Sequence, residues 1–212
     1  MRPLSVLYQD EHLVVIDKPS GVLVVQAPGR NSATIVDLLG AQLGCRVQAV
    51  HRLDEDTTGA LALALNDTAR VGMEALFRDH AIERDYLVLV SAAPTPAAGK
   101  IESNLQEDAD GIVHVVPRGG LRAVTHYETL ARRGRCTLVR CRLETGRRNQ
   151  IRVHLAALGC PVAGDRKYGF RARAGERFTR VMLHSWRMRF AHPIRGAEVR
   201  VETLPPEPSL CP

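Results

Sequence analysis

The part of the sequence best suited to chemistry is a charged turn. It combines basic residues with three carboxylates and reads His51-Arg52-Leu53-Asp54-Glu55-Asp56-Thr57-Thr58-Gly59. A continuous apolar run follows at residues 60–65 and predicts a buried strand. Charges beside a core must be paired, so a charged turn in this place indicates a functional role. The pattern predicts that this turn carries the chemistry and that the rest of the chain positions it.

Asp54 is the strongest candidate for a catalytic group in this turn. The nearby guanidinium of Arg52 favours the ionised carboxylate, whereas burial opposes it. An ionised aspartate in a dry cleft can act as nucleophile or general base; the alternative is a structural aspartate that caps the turn. The Asp-x-Asp-x-Thr-Gly spacing also imitates a calcium loop, but that loop needs a glutamate where this chain has Leu65. The sequence therefore argues against calcium.

Two further groups of side chains have suitable chemistry. Tyr86 lies on the apolar face of a predicted strand at residues 82–90, where its ring can stack on a nucleobase; the alternative is an ordinary core tyrosine. A polar and basic cluster surrounds the start of a predicted helix at residues 150–158 and is suited to bind phosphates: Arg147, Arg148, Gln150, Arg152 and His154. Arg152 is expected to be half-buried and to reach Asp54. The alternative for the cluster is a solvated helix face.

Composition favours an anionic partner in a reducing compartment. The chain has 212 residues, 45% of them hydrophobic, with a formal net charge of +6. This basic excess favours an anionic partner, with nucleic acid as the leading candidate; the alternative is arginine that replaces lysine on solvated faces. Its five cysteines are odd in number and lack zinc spacing, which indicates reduced thiols, no metal site and a cytoplasmic location. We find no signal peptide and no run of membrane-spanning length, so no membrane contact is expected.

The elements that position these residues predict an α+β fold. Short strands dominate, many in hairpin order, such as the predicted pair at residues 123–130 and 136–143, and a few helices pack on them. Ser32 or Asn31 is expected to cap the first helix and Asp67 the second. We expect one catalytic domain at residues 1–204, a loose tail at residues 205–212 and no separate RNA-binding domain. The sheet is expected to be mixed and largely antiparallel, with a central catalytic cleft.

Taken together and in order, the motifs resemble those of RluA-type pseudouridine synthases. The charged turn resembles the catalytic signature of that family, and Arg84-x-Tyr86 resembles its second motif. The resemblance extends over nearly the whole chain through further segments: Asp17-Lys18-Pro19-Ser20-Gly21, Thr145-Gly146-Arg147-x-x-Gln150-Ile151-Arg152-x-His154, Leu158-Gly159-x-Pro161-x-x-Gly164-Asp165-x-x-Tyr168, Leu183-His184 and His192-Pro193. Three positions depart from the usual pattern and leave substrate preference open: Arg84, Thr58 and Asn149.

The resemblance implies a cofactor-free, metal-free isomerase that converts uridine in ribosomal or transfer RNA into pseudouridine. By similarity, Asp54 is the catalytic nucleophile or base, Tyr86 packs against the uracil, and Arg152 holds Asp54 ionised. Arg52 helps to replace the flipped base in the stack. RNA contacts are expected from Arg52 and from four residues of the late cluster: Arg147, Arg148, Gln150 and His154. The chain is similar to short family members without an S4-type domain, and we expect a monomer with no obligatory protein partner.

Two other functions are compatible with parts of the pattern. A non-catalytic RNA-binding or RNA-folding factor on the same scaffold would not need Asp54, Tyr86 and Arg152 together. A hydrolase that uses Asp54 and Asp56 as paired carboxylates on a glycosidic bond would release free uracil.

Overall fold

The structure is a computed structural model and describes residues 3–212. Within this range the chain forms eleven strands, three α-helices and two short 3-10 helices. The strands are β1 (Ser5–Gln9), β2 (Leu13–Lys18), β3 (Gln48–Ala49), β4 (Thr58–Ala64), β5 (Glu83–Val90), β6 (Ala98–Glu107), β7 (Val113–Val116), β8 (Leu121–Arg133), β9 (Cys136–Leu143), β10 (Leu183–Ala191) and β11 (Glu198–Glu202). The helices are α1 (Ile35–Leu43), α2 (Asp67–Arg78) and α3 (Gln150–Ala157), with 3-10 helices at Arg166–Tyr168 and Pro208–Leu210.

The chain divides into two compact units. The first comprises Met1–Arg84 with Ser185–Pro205, and the second comprises Asp85–His184 with Pro206–Pro212. Strand pairings within both units are antiparallel, and helices pack on them. The predicted α+β class with a mixed, largely antiparallel sheet is confirmed. None of the helices in residues 3–212 has the length and apolar character needed to cross a bilayer.

In the first unit, β4 is the central strand. It pairs with β2 and with the short β3, and β2 pairs in turn with β1. All seven residues of β4 are buried, and its small side chains Ala60, Ala62 and Ala64 share a core with Ala69 and Met73 of α2. Small residues on one face of a strand let a helix approach closely, so the apolar run after the charged turn becomes the anchor of that turn.

Both of the first two helices begin at residues other than the predicted caps. The α1 cap is Thr34, which exchanges capping-box hydrogen bonds with Asp37, and the α2 cap is Asn66, whose side chain accepts from Ala69 N–H. The predictions of Ser32, Asn31 and Asp67 are therefore wrong. A cap needs extended backbone immediately before the first helical residue, and Thr34 and Asn66 have that conformation.

In the second unit, the strands pair in the order β5, β9, β8, β6 and β7. The predicted hairpin of residues 123–130 and 136–143 is present as β8 and β9. Val153 of α3 packs with Leu105, Val113 and Ala123 on this sheet.

The last residues of the chain, predicted to be a loose tail, also pack in this unit. Leu210 is fully buried, and the carboxylate of Glu207 pairs with the guanidinium of Arg180.

Candidate active site

The charged turn connects β3 to β4, and its three carboxylates lie between two buried residues. The carbonyl oxygen of Asp54 accepts a hydrogen bond of 3.1 Å from the N–H of Thr57, which closes a tight turn. Leu53 and Thr57 on either side are buried, whereas Asp54 is partly exposed. The turn therefore holds the backbone of Asp54 in place while Asp54 stays accessible to solvent, and a reactive carboxylate requires both.

Lys18, the last residue of β2, holds this turn from within the protein. Its ammonium group donates to the carbonyl oxygens of Pro19 at 2.9 Å, Glu55 at 2.8 Å and Thr57 at 3.0 Å. The N–H of Gly21 donates to the same Glu55 oxygen at 2.9 Å. Lys18 lies in one of the family-like segments of the sequence, but its contact with the turn was not predicted, because Glu55 and Thr57 lie 37 and 39 residues further along the chain.

Gly59 allows the end of the turn to approach β10. Its φ is +105°, and a Cβ atom built there would lie 2.2 Å from the carbonyl oxygen of Ser185. Ser185 Oγ also donates to the carbonyl oxygen of Ala60 at 2.9 Å. A side chain at position 59 would therefore displace either the turn or β10.

His51 anchors the other end of the turn as a neutral residue. Its Nε2 accepts a hydrogen bond of 3.0 Å from Ala62 N–H in β4, and its ring lies 4.4 Å from that of Phe77. Burial, followed by the positive charge of Arg84, lowers the pKa of His51 to about 3. Because the accepting nitrogen carries no proton, His51 serves here as a structural acceptor rather than as a cation.

The other charged residues of the first unit differ in their surroundings. Glu55 pairs with Arg30 at 2.7 Å, and Arg52 is exposed. Arg84 is only 6% exposed, its guanidinium carbon lies 5.4 Å from the centre of the Phe77 ring, and its Nε has no hydrogen-bond partner among residues 3–212. Arg52 thus has the exposure that its predicted RNA contact requires.

In the second unit, Tyr86 is held in the middle of β5. It lies opposite Cys141 of β9 and is 5% exposed. Its neighbour Asp85 accepts two hydrogen bonds from Arg142, at 2.8 and 3.0 Å, which tie β5 to β9 beside the tyrosine. The backbone position of Tyr86 is therefore fixed by strand pairing and by a bidentate ion pair.

Arg152 is oriented by a buried carboxylate, Asp165. The Nε of Arg152 donates to Asp165 Oδ2 at 2.7 Å, and a terminal nitrogen donates to Oδ1 at 2.8 Å. The guanidinium carbon lies 5.1 Å from the centre of the Tyr168 ring. Bidentate geometry fixes the plane of a guanidinium as well as its place. Asp165 was not among the predicted site residues; its only signal in the sequence was its place in a family-like segment.

Two residues predicted to contact RNA are buried in the interior of the second unit. Gln150 is 2% exposed and donates to the carbonyl oxygen of Val124 and to Thr125 Oγ1. His154 is fully buried, its ring nitrogens lie 2.9 Å from Thr125 Oγ1 and 3.0 Å from Ser103 Oγ, and burial lowers its pKa to about 4. In this structure both side chains attach α3 to the sheet, and their burial argues against direct RNA contact.

Two neighbouring arginines precede α3 and are accessible. Arg147 is partly exposed and donates to the carbonyl oxygen of Arg122, whereas Arg148 is exposed and pairs with Glu107. Residues 166–180 contain four exposed arginines, namely Arg166, Arg171, Arg173 and Arg177. The described residues contain no group of three potential metal ligands.

Comparison with known proteins identifies a family whose members are similar to this chain. The model of a family described as RNA pseudouridylate synthase matches residues 12–157. The chain belongs to that family. A ribosomal large subunit pseudouridine synthase D of Zymomonas mobilis is 35% identical over 97% of this chain and 70% of its own length. An uncharacterized RNA pseudouridine synthase of Bacillus subtilis is 37% identical over 96% of this chain and 70% of its own length.

Solved structures of the family share the fold. Human RNA pseudouridylate synthase domain containing 4 has a TM-score of 0.79 and 28% identity, covering 95% of this chain and 88% of the human chain. Human RNA pseudouridylate synthase domain containing 1 has the same TM-score of 0.79 with 26% identity, covering 99% of this chain and 89% of its own. The chain is accordingly an RNA pseudouridine synthase, an isomerase that acts on RNA.

Proposed function

We propose that this synthase isomerises uridine in ribosomal RNA and that Asp54 is its catalytic residue. The observation that supports Asp54 most directly is its position on a tight turn whose flanks, Leu53 and Thr57, are buried while Asp54 stays partly exposed. A reacting carboxylate needs both a fixed backbone and access to its substrate.

The proposed reaction rearranges one nucleotide and leaves its composition unchanged. The target uridine leaves its stack, at a cost of a few kcal/mol. Asp54 then acts at the ribose C1′ or C2′ while the bond from C1′ to N1 of uracil breaks. The uracil rotates, C5 bonds to C1′, the proton on C5 is lost, and N1 gains a proton. The resemblance assigns to Tyr86 the packing against the uracil and to Arg152 the support of an ionised Asp54.

Ribosomal RNA is the proposed substrate because of the named relatives and the charge of the chain. The relative from Zymomonas mobilis, like one from Nitrosomonas europaea that is 37% identical, is named a ribosomal large subunit pseudouridine synthase D. A net charge of +6 and exposed arginines, among them Arg52 and Arg148, are suited to a phosphate backbone. We further propose that the protein acts as a monomer in the cytoplasm; light scattering of the free protein tests the oligomeric state.

The test is turnover by purified protein on transcripts of large-subunit ribosomal RNA and, in parallel, transfer RNA. Carbodiimide-dependent stops of reverse transcription detect pseudouridine. Asp54→Ala is expected to lower turnover at least about 1000-fold, with RNA affinity retained; Asp56→Asn is the matched control and is expected to stay active. Full turnover by Asp54→Ala, or release of free uracil, would contradict the proposed mechanism. Modification of transfer RNA alone would replace the proposed substrate.

A further inference from the structure

Three accessible cations of the second unit lie beside the start of α3 or the turn that joins β6 to β7: Arg147, Arg148 and Lys167. Arg147 and Lys167 donate to backbone carbonyl oxygens, at 3.1 and 2.8 Å. A carbonyl oxygen accepts a hydrogen bond without cancelling the charge of the donor. Arg148 differs, because its guanidinium pairs with the carboxylate of Glu107. The protein therefore neutralises the positive charge of Arg148 itself.

The fold places Glu107 beside Arg148. Glu107 is the last residue of β6 and lies opposite Val113 of β7. Val113 is 4% exposed and packs with Val153 of α3, and its N–H donates to the hydroxyl oxygen of Tyr168 at 3.1 Å. These contacts hold the end of β6 against α3, so that Glu107 and Arg148 meet with little further ordering of the chain.

The Glu107 carboxylate occupies a place that also suits a phosphate group. A Cβ atom built on Gly111 would lie 3.4 Å from a carboxylate oxygen of Glu107 and 3.7 and 3.8 Å from the terminal nitrogens of Arg148. Lys167 donates to the carbonyl oxygen of the same glycine at 2.8 Å. Two cations thus lie around one turn. A phosphodiester group carries one negative charge, as a carboxylate does, and likewise presents two oxygens to a guanidinium.

We propose that Arg148 binds a phosphate of the RNA backbone, with Lys167 beside it, and that Glu107 competes with this phosphate as an internal anion. In the free protein Glu107 holds Arg148, and RNA must displace the carboxylate to reach the guanidinium. RNA whose backbone does not reach this place meets a neutralised Arg148 and is attracted less, so Glu107 contributes to the choice of substrate. The inference rests on the RNA contact of Arg148 in the proposed function and adds the competition by Glu107.

The test is a double-mutant cycle of RNA affinity with Glu107→Gln, Arg148→Met and the two together. Glutamine keeps the shape of Glu107 and one acceptor oxygen but carries no charge. Glu128→Gln is the matched control, because Glu128 also pairs with an arginine, Arg140, and both side chains are partly exposed. The three substituted residues are exposed, and circular dichroism verifies that each variant is folded.

The probe is a transcript of large-subunit ribosomal RNA that has been incubated beforehand with the wild-type protein, so that no turnover occurs during the binding titration. An exposed ion pair is weak, so we expect Glu107→Gln to raise the affinity about threefold. Glu128→Gln should change it less than about 1.5-fold at about 0.1 M salt, where distant charges are screened.

The gain from Glu107→Gln should disappear when Arg148 is absent. With Arg148→Met in place, Glu107→Gln should change the affinity less than about 1.5-fold, because no guanidinium is left to release. Arg148→Met alone should make the slope of log affinity against log salt concentration less steep by about 0.7–0.9, the value for one phosphate contact.

An equal or larger gain from Glu107→Gln in the Arg148→Met protein would show that Glu107 only repels RNA, and the inference would be overturned. It would also be overturned if Glu107→Gln gave no gain in the wild-type chain, or if Arg148→Met left the salt dependence unchanged. The proposed function fails separately: a preincubated transcript without pseudouridine would contradict the activity on ribosomal RNA, whereas the measured affinities would still decide the role of Glu107.

Discussion

Replacing Asp165 with asparagine tests the ion pair that orients Arg152. Asparagine keeps the shape of the side chain and one acceptor oxygen, but it removes the negative charge and one of the two acceptors that Arg152 uses at 2.7 and 2.8 Å. The side chains of Arg152 and Asp165 are 11% and 1% exposed. The substitution therefore removes a buried negative charge that is hydrogen-bonded to a guanidinium in the interior.

The expected size of the effect follows from this burial. Removing one partner of a buried ion pair costs about 3–5 kcal/mol, because the remaining charge is left uncompensated. Since asparagine still accepts one hydrogen bond from Arg152, we expect the lower end, about 3 kcal/mol of unfolding free energy. For a chain of this size, each kcal/mol lowers Tm by about 2–4 °C. Asp165→Asn should thus lower Tm by about 6–12 °C.

The measurement is a thermal or urea unfolding series that includes Glu102→Gln as the matched control. Glu102 also pairs with an arginine, Arg122 at 2.7 Å, but both side chains are about half exposed. Solvent screens such a pair, so Glu102→Gln should leave Tm unchanged. Turnover of Asp165→Asn at a temperature where it is folded should fall up to about 100-fold if the orientation of Arg152 serves the reaction.

Equal Tm values for Asp165→Asn and Glu102→Gln would refute the reasoning about buried charge. A destabilised Asp165→Asn with wild-type turnover would refute only the functional part, since Arg152 would then work without its fixed plane.

Two further predictions concern the turn and the two histidines with lowered pKa values. Gly59→Ala should lower the free energy of unfolding by more than about 2 kcal/mol, because its Cβ would meet the Ser185 carbonyl at a left-handed φ. Gly44→Ala, at a left-handed φ with no atom near the added Cβ, should lower it by about 1 kcal/mol. Urea unfolding measures both values. His51 and His154 have native pKa values of about 3 and about 4, so only the unfolded chain binds their protons as pH falls below about 6.5. The contribution of the two neutral histidines to the free energy of unfolding should be fully present above that pH. At about pH 5 the free energy of unfolding should be lower by about 2 kcal/mol for each histidine. Urea midpoints that stay constant from pH 7 to pH 5 would contradict this.

Local patterns in the sequence predicted the elements that carry the candidate residues. The continuous apolar run after the charged turn is β4, and the alternating segments after residue 120 are the hairpin of β8 and β9. These predictions depend on the periodicity of a few neighbouring residues. The cap of α1 depends on contacts outside that window: the N–H groups of Ile35 and Val36 donate to the carbonyl oxygens of Leu23 and Val24, so the helix begins beyond Ser32.

The partners of the candidate residues could not be predicted in the same way. Asp165 follows Arg152 by 13 residues, across the end of a helix and a turn. The carbonyl oxygens that accept from Lys18 lie 37 and 39 residues further along the chain. Backbone acceptors in particular carry no signal in the sequence, because every residue has a carbonyl group. Only the fold shows that Lys18 and the charged turn meet.

Residue type alone also did not separate side chains that contact RNA from side chains that support the site. Gln150 and His154 have the polarity expected of an RNA contact, yet both are buried and bonded to β8. Lys18 and Asp165 are likewise buried and hydrogen-bonded. A site that must hold its groups to within about 0.5 Å needs such a supporting layer, because unsupported side chains on loops sample several rotamers. We therefore expect these four residues to support the structure of the site, and the affinity for RNA to depend on the exposed arginines.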